Sequence, residues 1–329
     1  MKNLSLLPAL FLAALLPVAA LADPVSEMAG FSVFGKVDLG ELAHGDIKTA
    51  AGPQMNTPRY LSVQSCFLVP KSPAAVIQAM KHFNPTEHRD LKVFLHADLP
   101  ASPSAANFSK LSHPPQNSAV QALSAETEKM GDHLQISRAE AQNWSAGKSV
   151  WGFWTDLLAK RAQSFASGGA GAEASYDHTS AAISPGREFS GLLRQQSAVN
   201  KQFGSFLGST GLIGGKGSSK PDLYWELLQV EDDGVLTLGA SYTRGTSGGG
   251  YQVADGLYYA SGGYYVALTV YQLWPVEVGG HASTLVWRGD FTSAASLGEL
   301  HGIERIASEG AMKKDISQAV SIFKGEANR

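Results

Sequence analysis

The sequence predicts an α+β fold: an antiparallel sheet of at least five strands gripping a long C-terminal helix, with a mostly helical insertion over the sheet's other face. Three observations lead there. From Asp222 onward, apolar runs at Leu223–Glu231, Val235–Tyr242, Tyr251–Ala260, Tyr264–Val278 and Thr284–Phe291 are joined by short Gly or Asp turns, the pattern of successive hairpins. The run Tyr264–Val278 is apolar on both pleats, with Tyr265, Ala267, Thr269, Tyr271 and Leu273 alternating with Tyr264, Val266, Leu268, Val270 and Trp274. A half-buried strand alternates apolar with polar residues, so this one requires cover on both sides. Lastly, Leu300, Ile303, Ala307, Met312, Ile316, Val320 and Phe323 share one face of a closing helix that Ser296-x-x-Glu299 would open as a capping box. That helix would be ~40 Å long if unbroken, with Gly310 as the place for a kink.

The earlier elements follow the same logic. Phe31–Leu39 alternates Phe31, Val33 and Val37 with polar residues and reads as a strand, Glu41–Pro58 as a loop, and Arg59–Val69 as a firmer strand. Ser72 is the N-cap and Pro73 the first residue of a short helix whose Val76, Met80 and Phe83 share a face, and Asn84-Pro85 ends it. Leu91–Leu95 reads as a short strand, Pro100–Pro115 as a surface loop, Gln116–Met130 as a helix, and Ser137-x-x-Glu140 as a capping box. Ser149–Ala166 is a helix, because Val150, Phe153, Trp154, Leu157, Leu158 and Phe165 recur every three or four residues. Gly168–Ser184 is a small-residue linker and the candidate boundary. Ser184-Pro185 opens a long helix through Leu207, and Gly208–Lys220 is Gly/Ser-rich. The expected organisation is a single domain over 23–329 with a helical insertion at about 90–221.

Met1–Ala22 carries a single charge, Lys2, an apolar run and a small-residue end, and reads as a secretory signal cleaved before Asp23. Its removal leaves 25 basic against 29 acidic residues, a net charge too near neutral to suggest a nucleic-acid partner. No later stretch has the roughly 18–20 apolar residues a spanning helix needs. The mature chain is therefore expected to be soluble and exported, to the periplasm or beyond. Cys66 stands alone, so no intrachain disulfide can form, and its apolar strand makes it a small buried hydrophobe.

Several patterns suggest chemistry, and each has a plainer reading. Gly208–Gly217 is glycine-rich like a phosphate loop, but Thr210 and Gly217 stand where a P-loop needs Gly and Ser/Thr, so a flexible linker is expected. Gly245-Thr-Ser247-Gly-Gly249 matches G-x-S-x-G, yet another strand follows where a nucleophile elbow needs a helix. Ser145-x-x-Lys148 lacks its companion motifs. His82, His88, Asp90, His96 and Asp98 form the densest group of metal-ligand types, at a spacing matching no standard site. No cofactor, metal or catalytic residue is assigned.

The strand from Arg59, the Val-Pro-Lys-Ser-Pro-Ala-Ala-Val-Ile segment and the helix to Phe83 resemble the opening of START-like (helix-grip) domains. The Tyr251–Phe291 strands and the closing helix from Leu297 to Phe323 look like the other end of that fold. The resemblance implies an apolar cavity between helix and sheet for lipids or other hydrophobic ligands; the 130-odd mostly helical residues of Asp90–Pro221 depart from it. As a whole the chain is also similar to exported bacterial proteins.

The functional expectation is an extracytoplasmic binding or carrier protein for a hydrophobic small molecule or lipid. Tyr258, Tyr259, Tyr265, Tyr271, Trp274, Ile316 and Val320 are its candidate ligand-binding residues. The alternatives are a cell-envelope interaction or structural module without small ligand, and a secreted hydrolase using Ser247 or a metal near His88–His96. A closed void, an apolar surface patch, or a carboxylate–His pair beside Ser247 would respectively distinguish them.

Overall fold

The computed structural model describes residues 23–145, 147–300 and 303–328, so the expected signal and His301 lie outside the described residues. Eight strands form one fully antiparallel sheet: β1 (Ile47–Ala51), β2 (Tyr60–Val69), β3 (Val93–Leu99), β4 (Asp222–Val230), β5 (Asp233–Gly245), β6 (Tyr251–Ala260), β7 (Tyr264–Val278) and β8 (His281–Ala294). Their spatial order is β1-β2-β8-β7-β6-β5-β4-β3. Five consecutive hairpin strands, β4 to β8, thus make the centre, while β1–β2 and β3 supply opposite edges. The β7–β8 hairpin turns at Gly279-Gly280, both at positive φ (58° and 78°), as a two-residue turn matching the sheet twist requires.

The helices are α1 (Pro24–Ala29), α2 (Leu39–Ala43), α3 (Pro73–His82), α4 (Ser118–Lys129), α5 (Arg138–Ala141), α6 (Val150–Gly168), α7 (Pro185–Arg194), α8 (Ser197–Leu207), α9 (Ala295–Glu299) and α10 (Ile303–Ala327). None of the described helices is long and apolar enough to cross a membrane. The two-sided apolarity of β7 is met as its pattern demands. Val266, Leu268 and Val270 sit in a core with Phe153, Trp154, Phe189 and Phe203 of the helical insertion. On the other face, Leu273 and Tyr271 join Val63, Phe67, Val76, Ile316 and Val320 beneath α3 and α10. At 1.5 Å per residue α10 is ~37 Å long, and Gly310 lies within it without ending it.

Two bulges re-aim aromatic side chains. The β5–β6 register passes from Leu238↔Tyr259 to Gly239↔Leu257, leaving Tyr258 as an extra residue, so Tyr258 and Tyr259 both enter the insertion-side core. At the start of β7, Tyr264 pairs with Ala294 and Val266 with Ser293. Tyr265 then packs towards the insertion and Tyr264 towards Leu61 and Leu297, reversing the faces that simple alternation assigns them.

Other expectations are corrected. Phe31–Leu39 is not a strand: Phe31, Phe34 and Val37 are buried anchors of an irregular strap, and Asp38 caps α2 by accepting from the Gly40 and Glu41 amides. Phe31 wedges between Phe203 and Trp287, which outweighs the regular alternation that would have left Val33 inside. The expected loop Glu41–Pro58 contains β1, a strand with no fully buried residue that is held by β2 and by Thr49 Oγ1 at 2.9 Å from Ser317 Oγ on α10. The predicted helix from Ser184 to Leu207 breaks at Gln195–Gln196, because Gln196 turns inward to donate to Pro53 O and Ser62 Oγ.

The Ser137–Glu140 capping box forms, whereas Ser296 and Glu299 lie inside the separate short helix α9. The strand expected at Leu91–Leu95 is β3, paired to β4, so the helical part of the insertion begins after Leu99. Gly168–Ser184 is no boundary, since helices on both sides of it share one core. Nor is Gly208–Gly217 a free linker: Gly211 O accepts from Ala170 N at 2.7 Å and Gly214 O from Gly171 N at 2.8 Å.

Candidate ligand-binding cleft

α10 runs along β1 and β2 at one side of the sheet. The middle strands on that face stay partly uncovered, which opens a cleft of about 1340 Å³ that runs from the space between the helix and β7–β8 to α4 and the β4–β5 turn. Thr269 and Ala267 of β7, Arg288 and Asp290 of β8, and Met312 and Ile316 of α10 line it. A smaller chamber of about 240 Å³ adjoins it and shares Leu91, Arg288 and Ala319 with it. The smaller chamber is walled by Phe67, Met80, Phe83, Val253, Val320 and Phe323, with Asp255, Tyr271 and Ser241 at its floor. Phe83 stands edge-on to Phe323 (6.0 Å) and stacks on His88 (5.1 Å), whose Nε2 lies 2.7 Å from Glu326 Oε2; these contacts tie the wall to the end of α10.

The floor is a polar row assembled by strand register. Asp290 faces Thr269, Thr269 faces Asp255, and Asp255 faces Ser241, across β8, β7, β6 and β5. One pleat away, Arg288 faces Tyr271. Arg288 folds back on its own strand: Nε donates to both Asp290 oxygens at 3.0 and 2.8 Å, and Nη2 to Oδ1 at 2.7 Å, with the guanidinium 5.6 Å from the Tyr271 ring centroid. Burial alone would lower the Arg288 pKa, and the Asp290 carboxylate more than offsets it, so the charge is retained.

Asp255 is held differently. Tyr224 on β4 reaches across β5 to donate to Asp255 Oδ1 at 2.7 Å. It can do so because residue 239, in between, is glycine: a Cβ there would lie 2.1 Å from a Tyr224 ring carbon. Among the described residues Asp255 forms no ion pair. Burial pushes its carboxyl up to about 6, against the lowering effect of the Tyr224 hydrogen bond. Burial likewise raises the Tyr271 phenol to about 12 and that of Tyr224 well above its ordinary value. The cleft thus offers an apolar end, a spent ion pair and one carboxylate without a counter-charge.

The seven residues singled out in the sequence divide between the two faces of the sheet. Tyr271 and Val320 line the small chamber and Ile316 the large one, while Tyr265 meets the large one from the insertion side, beside Tyr176. Tyr258, Tyr259 and Trp274 lie on the opposite face in solid packing. Tyr258 stacks on Phe165 at 3.8 Å, Tyr259 lies 4.3 Å beneath the Arg161 guanidinium, and Trp274 Nε1 donates to Glu27 Oε2 at 3.0 Å. Arg288, Asp290, Asp255 and Tyr224 were missed. The available signal was a charge midway along a strand between apolar neighbours, as at Asp255 after Val253-Ala254 and Arg288 after Leu285-Val286-Trp287.

The remaining motifs do not converge. Ser247 is exposed on the β5–β6 turn and bonds to no histidine or carboxylate among the described residues. His82 contacts its own helix at Gln78 O, His96 Nδ1 lies 3.0 Å from Glu226 Oε1, and His88 faces Glu326. No group of three or more metal-ligand types gathers among the described residues. Compared with known proteins, the chain matches no family model, no curated protein and no solved structure.

Proposed function

We propose that this protein binds a small molecule with an apolar body in the cleft beneath α10, as a carrier acting outside the cytoplasm. The observation that carries the reading is the pair of adjoining cavities, about 1340 and 240 Å³, that meet beneath α10 at Leu91, Arg288 and Ala319. Ligand sites are typically concave, largely apolar and supplied with few polar groups, and the smaller chamber answers that description. The export signal expected at Met1–Ala22 supports the extracytoplasmic placement.

The test is native mass spectrometry of the protein expressed from its full-length chain, before and after organic extraction. A bound small molecule should appear as an adduct that extraction removes. Ala319→Trp, which puts an indole at the junction of the chambers, should abolish the adduct while leaving the circular dichroism spectrum unchanged. A wild-type protein that carries no adduct and takes up none from a total lipid extract would refute the reading.

A further inference from the structure

Within the small chamber one charge lacks a counterpart, and the groups around it can be enumerated. Asp255 is faced by Tyr224 and Glu226 of β4, Ser241 of β5, Tyr271 of β7, and Arg288 and Asp290 of β8; Asp315 of α10 and Asp90 and Lys92 lie at the larger cleft. The one cation among the floor groups, the half-buried Arg288, is engaged by Asp290 through three contacts of 2.7–3.0 Å. Glu226 in turn faces His96 Nδ1 at 3.0 Å, outside the chamber. Tyr224 donates to one oxygen of Asp255, leaving the carboxylate as an acceptor at the chamber floor. The walls above it, Phe67, Val253, Val320 and Phe323, carry no charge.

An ionised carboxylate drawn out of bulk water is costly unless paired, and here the half-buried, unpaired one sits where a bound molecule would end. Resting on the reading of the cleft as a ligand site, we propose that its ligand is an amphipathic cation: a protonated amine on an apolar body. The ammonium donates to Asp255, and the hydrocarbon portion packs against Phe67, Val253 and Phe323. A free carboxylate or phosphate ligand is disfavoured, because it would meet Asp255 at the floor and Asp290 in the adjoining cleft, with Arg288 already occupied.

Three probes of equal length separate the alternatives: octylammonium, octanol and octanoate, titrated calorimetrically into the whole protein at pH 7.5. Octylammonium should bind at least about tenfold more tightly than octanol, the scale of one charge-assisted hydrogen bond, and octanoate most weakly. Asp255→Asn should erase the amine's advantage and leave octanol binding unchanged. The advantage should also fade as pH drops through about 6, where Asp255 takes up a proton. Tyr224→Phe keeps the carboxylate but removes the hydrogen bond that favours its ionised form, so the fading should move to higher pH; this decides the matter if Asp255→Asn does not fold. Equal binding of amine and alcohol, or an amine preference that survives Asp255→Asn, overturns the inference while leaving the cleft a ligand site. If none of the three binds, the cleft reading fails and this inference with it.

Discussion

Replacing Arg161 by Met tests whether the insertion-side core depends on a buried charge network. The Arg161 side chain is 2 % exposed. Its Nη2 donates to Glu140 Oε2 at 2.7 Å, its Nη1 to Ala174 O at 3.0 Å and to Glu173 Oε2 at 3.3 Å, and its guanidinium lies over the rings of Tyr259 and Tyr176. Met fills much of the volume but leaves Glu140 without its cation, with only the Ser137 amide still donating to it, and removing one member of a buried pair typically costs about 3–5 kcal/mol. At about 2–4 °C per kcal/mol for a chain of this class, melting should fall by roughly 6–20 °C.

The pH dependence makes the test specific. Burial raises the Glu173 carboxyl from its ordinary 4.5 to about 8, with Arg161 pulling the other way. A folded-state pKa raised above the unfolded one gives stability that is fully present below 4.5 and lost as pH rises to about 8, where the loss levels off. Without Arg161 the folded pKa rises further, and the loss continues past pH 8 at about 1.4 kcal/mol per unit. Urea unfolding followed by tryptophan fluorescence should therefore show a gap between wild type and variant that is constant from about pH 5 to 7 and widens above 8. Adding Glu173→Gln should remove the widening. A loss under about 1 kcal/mol, or a gap unchanged at pH 9, would show that the network contributes little.

Four further outcomes are expected. Cys66, fully buried and with its thiol raised to about 12 by burial, should react with a thiol reagent only after denaturation, and rapid labelling of the native protein would contradict its burial. Ile316→Ala should cost about 2 kcal/mol, the low end for such truncations because the cleft already adjoins it, and Val320→Ala a similar amount from packing against Phe67 and Val63; wild-type melting of both would mean α10 is not seated on the sheet. Gly310→Ala should stabilise by roughly 0.5–1 kcal/mol, since the position is helical and an added methyl meets nothing, and a lower melting temperature would show that the residue serves a bend. Ser247→Ala should leave both stability and probe binding unchanged, as read by urea titration and calorimetry.

The parts of the fold legible in the sequence are those written as a local period. The five hairpin strands and the amphipathic α6 each carry their apolar spacing within a dozen residues, as does the second half of the closing helix through Met312, Ile316, Val320 and Phe323, whereas Ala307 of its expected apolar face is exposed. β7 states through two apolar pleats that both sheet faces must be covered, and α10 with α3 on one side and the insertion on the other supply that cover. Alternation within one strand, however, says which residues share a face, not which face of the sheet they share. Bulges at Tyr258 and Tyr265 break the alternation, and so Tyr258, Tyr259 and Tyr265 turn towards the insertion while Tyr271 turns to the cleft. β1 was illegible because its residues bury little; it is a strand through hydrogen bonds to β2 and contact with α10. The polar floor was illegible for a related reason. Asp290, Thr269, Asp255 and Ser241 are far apart in the chain and unremarkable singly, and only the registers of four strands set them in a row. Tyr224 reaches that row because glycine stands at 239, a contact between β4 and β6 that no spacing along either strand encodes.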